Sequence, residues 1–248
     1  MHKSHVGFIL AAGDSRRLKE LTKDKPKSFL EINGRKIIDY HLENLSRIGI
    51  KKAYIVVGFL KEIFKNTIGT SYKNLIVEYI DNDEFETTGH SYSVYLGKEI
   101  LKKNDILLIH ADVFCDPSLY DILISNRYRD VVLADENYEV LTGDEFVIIG
   151  EKGVVKDLGP GKQGKIQGEF VGLSKFSSEF MSEFCNFMEE FFREEGKRFN
   201  YEIVMDRFLQ NNSSKLYYSK IEGKKWININ YKEDYDMAQR IAKNLFIL

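Results

Sequence analysis

Through its first 135 residues the chain alternates short apolar runs with segments of helical period. Val6–Ala11, Ala53–Val57, Leu75–Ile80, Asp105–His110 and Asp130–Ala134 read as strands. Between them Lys36–Ile48 repeats apolar residues at Ile37, Ile38, Leu42, Leu45 and Ile48 and stops at Gly49. Phe59–Ile68, Ser91–Leu101 and Pro117–Ser125 carry the same helical signal. Strands separated by helices at this rhythm predict a parallel sheet with right-handed crossovers. Val6–Leu10 is mostly apolar, as a strand buried on both faces must be. In such sheets ligands bind beyond the carboxyl ends of the strands. The Gly13 loop, the Gly58 turn, the stretch 81–89 and Asp112 all fall at those ends.

From about residue 140 the rhythm changes. Glu145–Gly150, Gly153–Asp157 and Glu169–Phe176 look like shorter, hairpin-type strands, and Gly159–Gly168 reads as a mobile loop. Phe176–Glu195 and Tyr201–Leu209 are predicted helices, Leu216–Ser219 and Trp226–Ile229 short strands, and Glu233–Leu245 a closing helix. The fold class is α/β: a mostly parallel central sheet flanked by helices, with a smaller mixed second part. One domain is expected over residues 1–248, its pattern changing at about 135–140. The stripe at Phe176, Phe180, Met181, Phe184, Phe187, Met188, Phe191 and Phe192 has helical spacing. It reads as core, with a homodimer face as the alternative.

A hydrophobic content of 43% allows a sizeable core, and a net charge of −2 gives no electrostatic drive toward nucleic acid or an anionic membrane. No apolar run reaches the roughly 18–20 residues of a membrane span. Met1–His5 leads straight into the first strand, which leaves no room for a signal peptide. Cys115 and Cys185 lack metal-ligand spacing and are expected as free thiols in a reducing cytoplasm.

The chemistry concentrates after the first strand. Ala11, Ala12 and Gly13 have almost no side chain, so a ligand can approach the backbone closely. Arg16, Arg17 and Lys27 supply cations for a polyphosphate. The plain alternative is a tight strand-to-helix turn with surface charges. Asp112 closes an apolar strand opposite this loop, where a carboxylate can hold Mg²⁺ together with phosphate oxygens, or can simply cap a turn. Asp116, just before Pro117, reads as a helix cap. Glu233 and Asp234 sit in the first turn of the last helix, where negative charge favours the dipole.

Leu10 to Leu18 resembles the signature loop of the nucleotidyltransferases that make sugar-nucleotides and CDP-activated alcohols. That pattern is Leu-Ala-Ala-Gly-x-Gly-x-Arg-Leu followed by Pro-Lys. Leu10, Ala11, Ala12, Gly13, Arg17, Leu18, Pro26 and Lys27 match it, and Ser15 replaces its second glycine. The resemblance implies the nucleotidyltransferase (GT-A-like) form of the Rossmann-like fold, with a nucleotide-binding part over about 1–135 and a smaller mixed substrate-binding part, for the acceptor, over about 136–248. It makes Lys27, with Arg17, the catalytic candidates, because both can neutralise charge that builds on a phosphate under attack. Asp112 resembles the family's strand-end metal ligand. Trp226-Ile-Asn-Ile-Asn230 resembles its closing motif, in which Asn230 stands where many members carry an aspartate of the metal site. An amide oxygen there can still face a metal or a phosphate.

A finer likeness is to the CTP:phosphocholine, aminoethylphosphonate and phosphoglutamine cytidylyltransferases. It rests on Gly58-Phe-Leu-Lys61, on Gly89-His-Ser-Tyr-Ser-Val94 and on Gly168-Glu-Phe-Val-Gly-Leu-Ser-Lys175. It implies nucleotide contacts from Leu10, Ala11, Ala12, Gly13, Ser15, Arg17, Gly58, Gly89, His90 and Ser93. Glu169 would face the acceptor and Lys175 its phosphate. Tyr201 and Glu202, opening a helix, would suit an ammonium head group through cation–π and charge, or would be an ordinary helix start. The implied reaction is Mg²⁺-dependent transfer of CMP from CTP to a phosphorylated or phosphonylated small molecule, feeding glycan or lipid decoration. Two alternatives stay open: a sugar-1-phosphate nucleotidyltransferase using UTP, GTP or dTTP, and a catalytically weak nucleotide-binding regulator.

Overall fold

The structure is a computed structural model, and it describes residues 5–137 and 145–245. The reading of the first residues as too short for a signal peptide rests mostly on residues outside these. In chain order the elements are β1 (Val6–Ala11), β2 (Glu31–Ile32), β3 (Arg35–Lys36), α1 (Ile37–Arg47), β4 (Lys52–Val57), α2 (Lys61–Ile68), β5 (Ser71–Tyr72) and β6 (Leu75–Asp81). Then come α3 (His90–Leu96), α4 (Lys98–Leu101), β7 (Ile106–His110), β8 (Val113–Cys115), α5 (Ser118–Ser125) and β9 (Val131–Asp135). The remainder are β10 (Val147–Glu151), β11 (Val154–Gly159), β12 (Ile166–Phe176), α6 (Ser178–Glu195), α7 (Tyr201–Asn211), β13 (Tyr217–Lys220), β14 (Trp226–Asn228) and α8 (Lys232–Leu245).

Ten strands form one sheet in the order β10-β11-β13-β9-β12-β7-β1-β4-β6-β5. β1 pairs in parallel with β4 and β7, and β4 with β6. The parallel expectation holds there. It fails between β7 and β9, because β12 from the second half lies between them, antiparallel to both. The two parts of the chain therefore share a sheet.

Side chains alternate across it, as a period of two requires. Phe8, Val56, Leu108 and Val132 face one core with Phe180, Met181, Phe184 and Phe208 of α6 and α7. Ile9, Ile55, Leu107 and Val131 face the other with Leu42, Phe64 and Leu119 of α1, α2 and α5. Each such fully buried side chain contributes about 1.5–3 kcal/mol. The buried members of the Phe/Met stripe are core, as expected.

Local chemistry sets the helix ends. Ser177 Oγ accepts the Phe180 N–H to open α6, and Asp116 Oδ1 accepts the Ser118 N–H to open α5. Ser91–Leu101 divides in two at Gly97, where a Cβ would lie 2.5 Å from the Phe8 ring. The expected loop Gly159–Gly168 is shorter than predicted, since β12 begins at Ile166. It is also tied down: Lys162 Nζ lies 2.6 Å from Asp206 and 3.2 Å from Asp157. Both cysteines are buried and free, and burial pushes both thiols up to about 12. Among the described residues no helix is long and apolar enough to cross a membrane.

Candidate active site

β1 ends in a loop that wraps the mouth of a cavity of about 300 Å³. Leu10, Ala11, Gly13, Ser15 and Arg17 line one side, and Lys27, Ala111, Asp112 and Asn230 the other. The loop is anchored from beneath: Ala12 is buried and its carbonyl accepts the Phe59 N–H at 3.0 Å. Gly58 makes that approach, since a Cβ there would sit 2.7 Å from the same carbonyl. A Cβ at Gly13 would meet nothing within 4 Å, so its backbone faces open space. Ser15 takes the left-handed conformation, φ 56°, that the family pattern fills with glycine. Its carbonyl accepts the Leu18 N–H and the Thr22 hydroxyl.

Lys27 is the hub. It opens a short 3₁₀ turn, Lys27–Phe29, after Pro26. Its Nζ donates to Asp112 Oδ2 at 2.6 Å and to Asn230 Oδ1 at 2.9 Å. Arg17 donates to the same amide oxygen at 2.7 Å, and its guanidinium lies 5.2 Å from the Tyr231 ring centroid. Burial alone would raise the Asp112 carboxyl, but Lys27 and His110 beside it hold it at about 2. Asp112 is therefore an anion at neutral pH.

Strand pairing explains how residues so far apart in sequence meet. β8 continues past Asp112 and pairs antiparallel with β14, Val113 opposite Asn228. The Ile229 N–H then donates to the Asp112 carbonyl at 3.0 Å, which delivers Asn230 to the pocket. Asp234 accepts the backbone N–H groups of Asn230 and Tyr231, so its role is structural, as its place in a first turn implied.

Other expected site residues lie elsewhere. Lys175 is buried, and its Nζ donates to the Asn126 carbonyl at 2.7 Å. It lies opposite Leu107, below the strand end, and does not line the loop cavity. Glu169 is paired in register with Asp135, and burial with Glu145 and Asp135 nearby pushes its carboxyl up to about 7. Gly89 packs on the Phe199 backbone, where a Cβ would be 2.1 Å from the carbonyl. Ser93 is buried and accepts from Asn82 Nδ2 at 3.0 Å. Neither lines the loop cavity. Tyr201 and Glu202 are 1% and 2% exposed, so they do not form an open ammonium pocket. His90, expected against base or phosphate, lies 3.6 Å from Glu202, and His110 lies 3.2 Å from the same carboxylate. His90, His110 and Glu202 together have the composition of a metal-binding group.

Sequence reasoning passed over His110 and Ser28. Ser28 borders the cavity, and its buried Oγ has no hydrogen-bond partner among the described residues. Its adjacency to Lys27 was the available signal. His110 had only its place two residues before Asp112.

A strand-end loop facing a lysine–carboxylate pair suits the nucleotidyltransferase class, and comparison with known proteins shows that class. Residues 7–159 match the MobA-like NTP transferase domain, and the chain belongs to that family. It is 28% identical to the CTP:phosphoglutamine cytidylyltransferase of Campylobacter jejuni, covering 93% of this chain and 97% of that one. It is 27% identical to the choline-phosphate cytidylyltransferase of Streptococcus pneumoniae, over 96% and 98% respectively. The solved CTP:phosphocholine cytidylyltransferase from Streptococcus pneumoniae superposes with a TM-score of 0.76 at 24% identity, covering 96% of this chain and all of that one. The inositol-1-phosphate CTP transferase from T. maritima superposes with a TM-score of 0.79 at 15% identity, covering 97% of each.

Proposed function

We propose that the protein transfers CMP from CTP to a phosphorylated or phosphonylated small molecule. An oxygen of the acceptor attacks the α-phosphorus, the bond to the bridging oxygen breaks, and pyrophosphate leaves. The observation that carries this is the convergence of Lys27, Arg17, Asp112 and Asn230 on one cavity at the end of β1. The attacking oxygen is already anionic, so the reaction needs no general base. It needs cations at the phosphate under attack, and Lys27 would supply one and Arg17 another. CTP and a non-sugar acceptor are favoured because the Campylobacter jejuni and Streptococcus pneumoniae cytidylyltransferases, both 27–28% identical over nearly their whole length, are named for such substrates.

One carboxylate and one amide oxygen, side by side at the cavity, fit Mg²⁺, which takes one or two carboxylates and completes its shell with phosphates and water. Asp112, with Asn230, would hold it. When bound, it supplies further neutralisation of charge on the phosphates.

The second reading is a sugar-1-phosphate nucleotidyltransferase. A uridylyltransferase for glucose 1-phosphate from Haloferax volcanii is 30% identical over 48% of each chain. The deciding experiment measures pyrophosphate release with Mg²⁺ and CTP, UTP, GTP or dTTP. The acceptors are phosphocholine, phosphoethanolamine, 2-aminoethylphosphonate, phosphoglutamine and hexose 1-phosphates. Turnover with CTP and a non-sugar acceptor is expected. Turnover only with a hexose 1-phosphate selects the second reading, and silence across the panel overturns both.

A further inference from the structure

Three residues from three elements meet at the end of β7. His110 is its last residue, His90 the first of α3, and Glu202 stands in the first turn of α7. The rings of His90, Tyr201 and Phe170 enclose His110 edge-on, with centroids 5.7, 5.5 and 5.6 Å away. Gly172 packs against its Nδ1 edge, where a Cβ would come within 3.1 Å, so the ring is held with Nε2 turned toward Glu202. The Glu202 side chain is 2% exposed and that of His110 17%, while the His90 side chain, at 35%, opens the cluster to solvent.

Glu202 Oε1 lies 3.2 Å from His110 Nε2, yet the two are not aligned as a hydrogen bond. Among the described residues His110 Nε2 has no hydrogen-bond partner, and neither has Glu202 Oε2. The 3.6 Å between Glu202 Oε2 and His90 Nε2 is too long for one. A buried ring nitrogen and a buried carboxylate oxygen left without partners are costly, and one cation between them satisfies both.

The spacing suits such a cation. Tetrahedral Zn²⁺, with bonds of about 2.0–2.2 Å, sets its ligand atoms about 3.3–3.6 Å apart. The two separations across Glu202 are 3.2 and 3.6 Å, and ligand atoms of all three residues lie within 4.8 Å of one another. Two imidazoles and one carboxylate suit Zn²⁺, whereas Mg²⁺ takes oxygen ligands.

We propose that His90, His110 and Glu202 form a Zn²⁺ site that shares no ligand with the Asp112–Asn230 position, with both histidines ligating through Nε2 and water in the fourth place. The ion pins the first turn of α7 to α3 and to the strand that leads into Asp112, a brace between the two parts of the chain. Ligation at Nε2 puts the His90 ring proton on Nδ1. That nitrogen faces the start of α7, where the Tyr201 N–H points at it from 3.4 Å, longer than an ordinary hydrogen bond. The Asn200 side chain hydrogen-bonds the same ring, and its amide oxygen accepts the Nδ1–H once the His90 ring turns onto the metal.

The test is independent of the transferase reading, because zinc content and melting are read without turnover. Untagged protein, stripped with chelator and then dialysed against Zn²⁺ in excess Mg²⁺, should retain a single Zn²⁺ per chain by metal analysis. At about 100 times its Kd, Zn²⁺ should raise Tm by roughly 5–10 °C. Co²⁺ in its place should show the visible bands of a nitrogen-ligated ion of low coordination number. His90→Ala removes the most exposed ligand, and should still fold. It should weaken Zn²⁺ by more than about 100-fold, because even the outer partners of a metal ligand are worth about 10–100-fold. Glu202→Gln should weaken it as well, and Asp112→Asn should keep the ion and its bands. ¹⁵N spectra of the zinc-loaded protein should place the His90 ring proton on Nδ1. Wild type that retains no zinc and shows no shift in Tm overturns the proposal. So does zinc that survives His90→Ala but leaves with Asp112→Asn, which assigns the ion to the Asp112 position. A His90 ring proton that stays on Nε2 under saturating Zn²⁺ overturns it too.

Discussion

Lys27 shows what a single position can carry. Lys23 and Lys25 precede it and are exposed, while Lys27 turns inward to Asp112 and Asn230. The difference is Pro26, which starts the turn that aims it. Lys27→Ala is expected to lower kcat about 10²–10³-fold, the cost of losing one preorganised charge at a reacting oxyanion. The thermal shift on adding CTP should persist, and a variant with unchanged kcat would remove Lys27 from the chemistry. Ser15 makes the opposite case, a residue at odds with its own backbone. Its left-handed φ costs a non-glycine residue about 1–2 kcal/mol. Ser15→Gly should raise Tm, by roughly 2–4 °C for each kcal/mol relieved. A fall in Tm would mean that the serine side chain contributes more than its strain costs.

Among elements, the short β8–β14 ladder does the most for the site, because it carries Asn230 to Asp112. Asn230→Asp should lower the Mg²⁺ concentration for half-maximal rate, since a second carboxylate strengthens a divalent site. A titration of rate against Mg²⁺ checks it. β12 carries a different consequence. Burial, with Glu145 and Asp135, lifts Glu169 from 4.5 to about 7. The folded state then binds more protons than the unfolded one between those values, so stability falls as pH rises from 4.5 to about 7. Glu169→Gln should melt at a higher temperature than wild type at pH 8 and close to it at pH 4.5. Equal differences at both pH values would refute the assignment. The longer elements were legible because their periodicity runs for several residues. β2, β3, β5 and β8 were not, being two or three residues that owe their form to a partner strand. The same limit applied to the site. Lys27, Arg17 and Asp112 stand in local motifs. The contact between His110 and Glu202 arises only when α7 packs across the end of β7, and no local pattern announces it.

At the scale of the molecule, the placement of β12 decides how the parts depend on each other. It fills the gap between β7 and β9, so neither half has a complete sheet alone. Near-UV and far-UV circular dichroism of the full chain should melt together. A fragment of residues 1–137 should show no cooperative near-UV transition, and a sharp one would mean that the first half is self-sufficient.

The chain leaves the ribosome from its amino end, and β12 ends only at Phe176. Until then β7 and β9 each present an unpaired edge, an invitation to strands of other nascent chains. Lys27 and Asp112 emerge before β12, and Asn230 only well after it. The Lys27–Asp112–Asn230 cluster is therefore incomplete until well after β12 has emerged. The slow, long-range closure of this sheet is also the interval in which a chaperone has the most to cover.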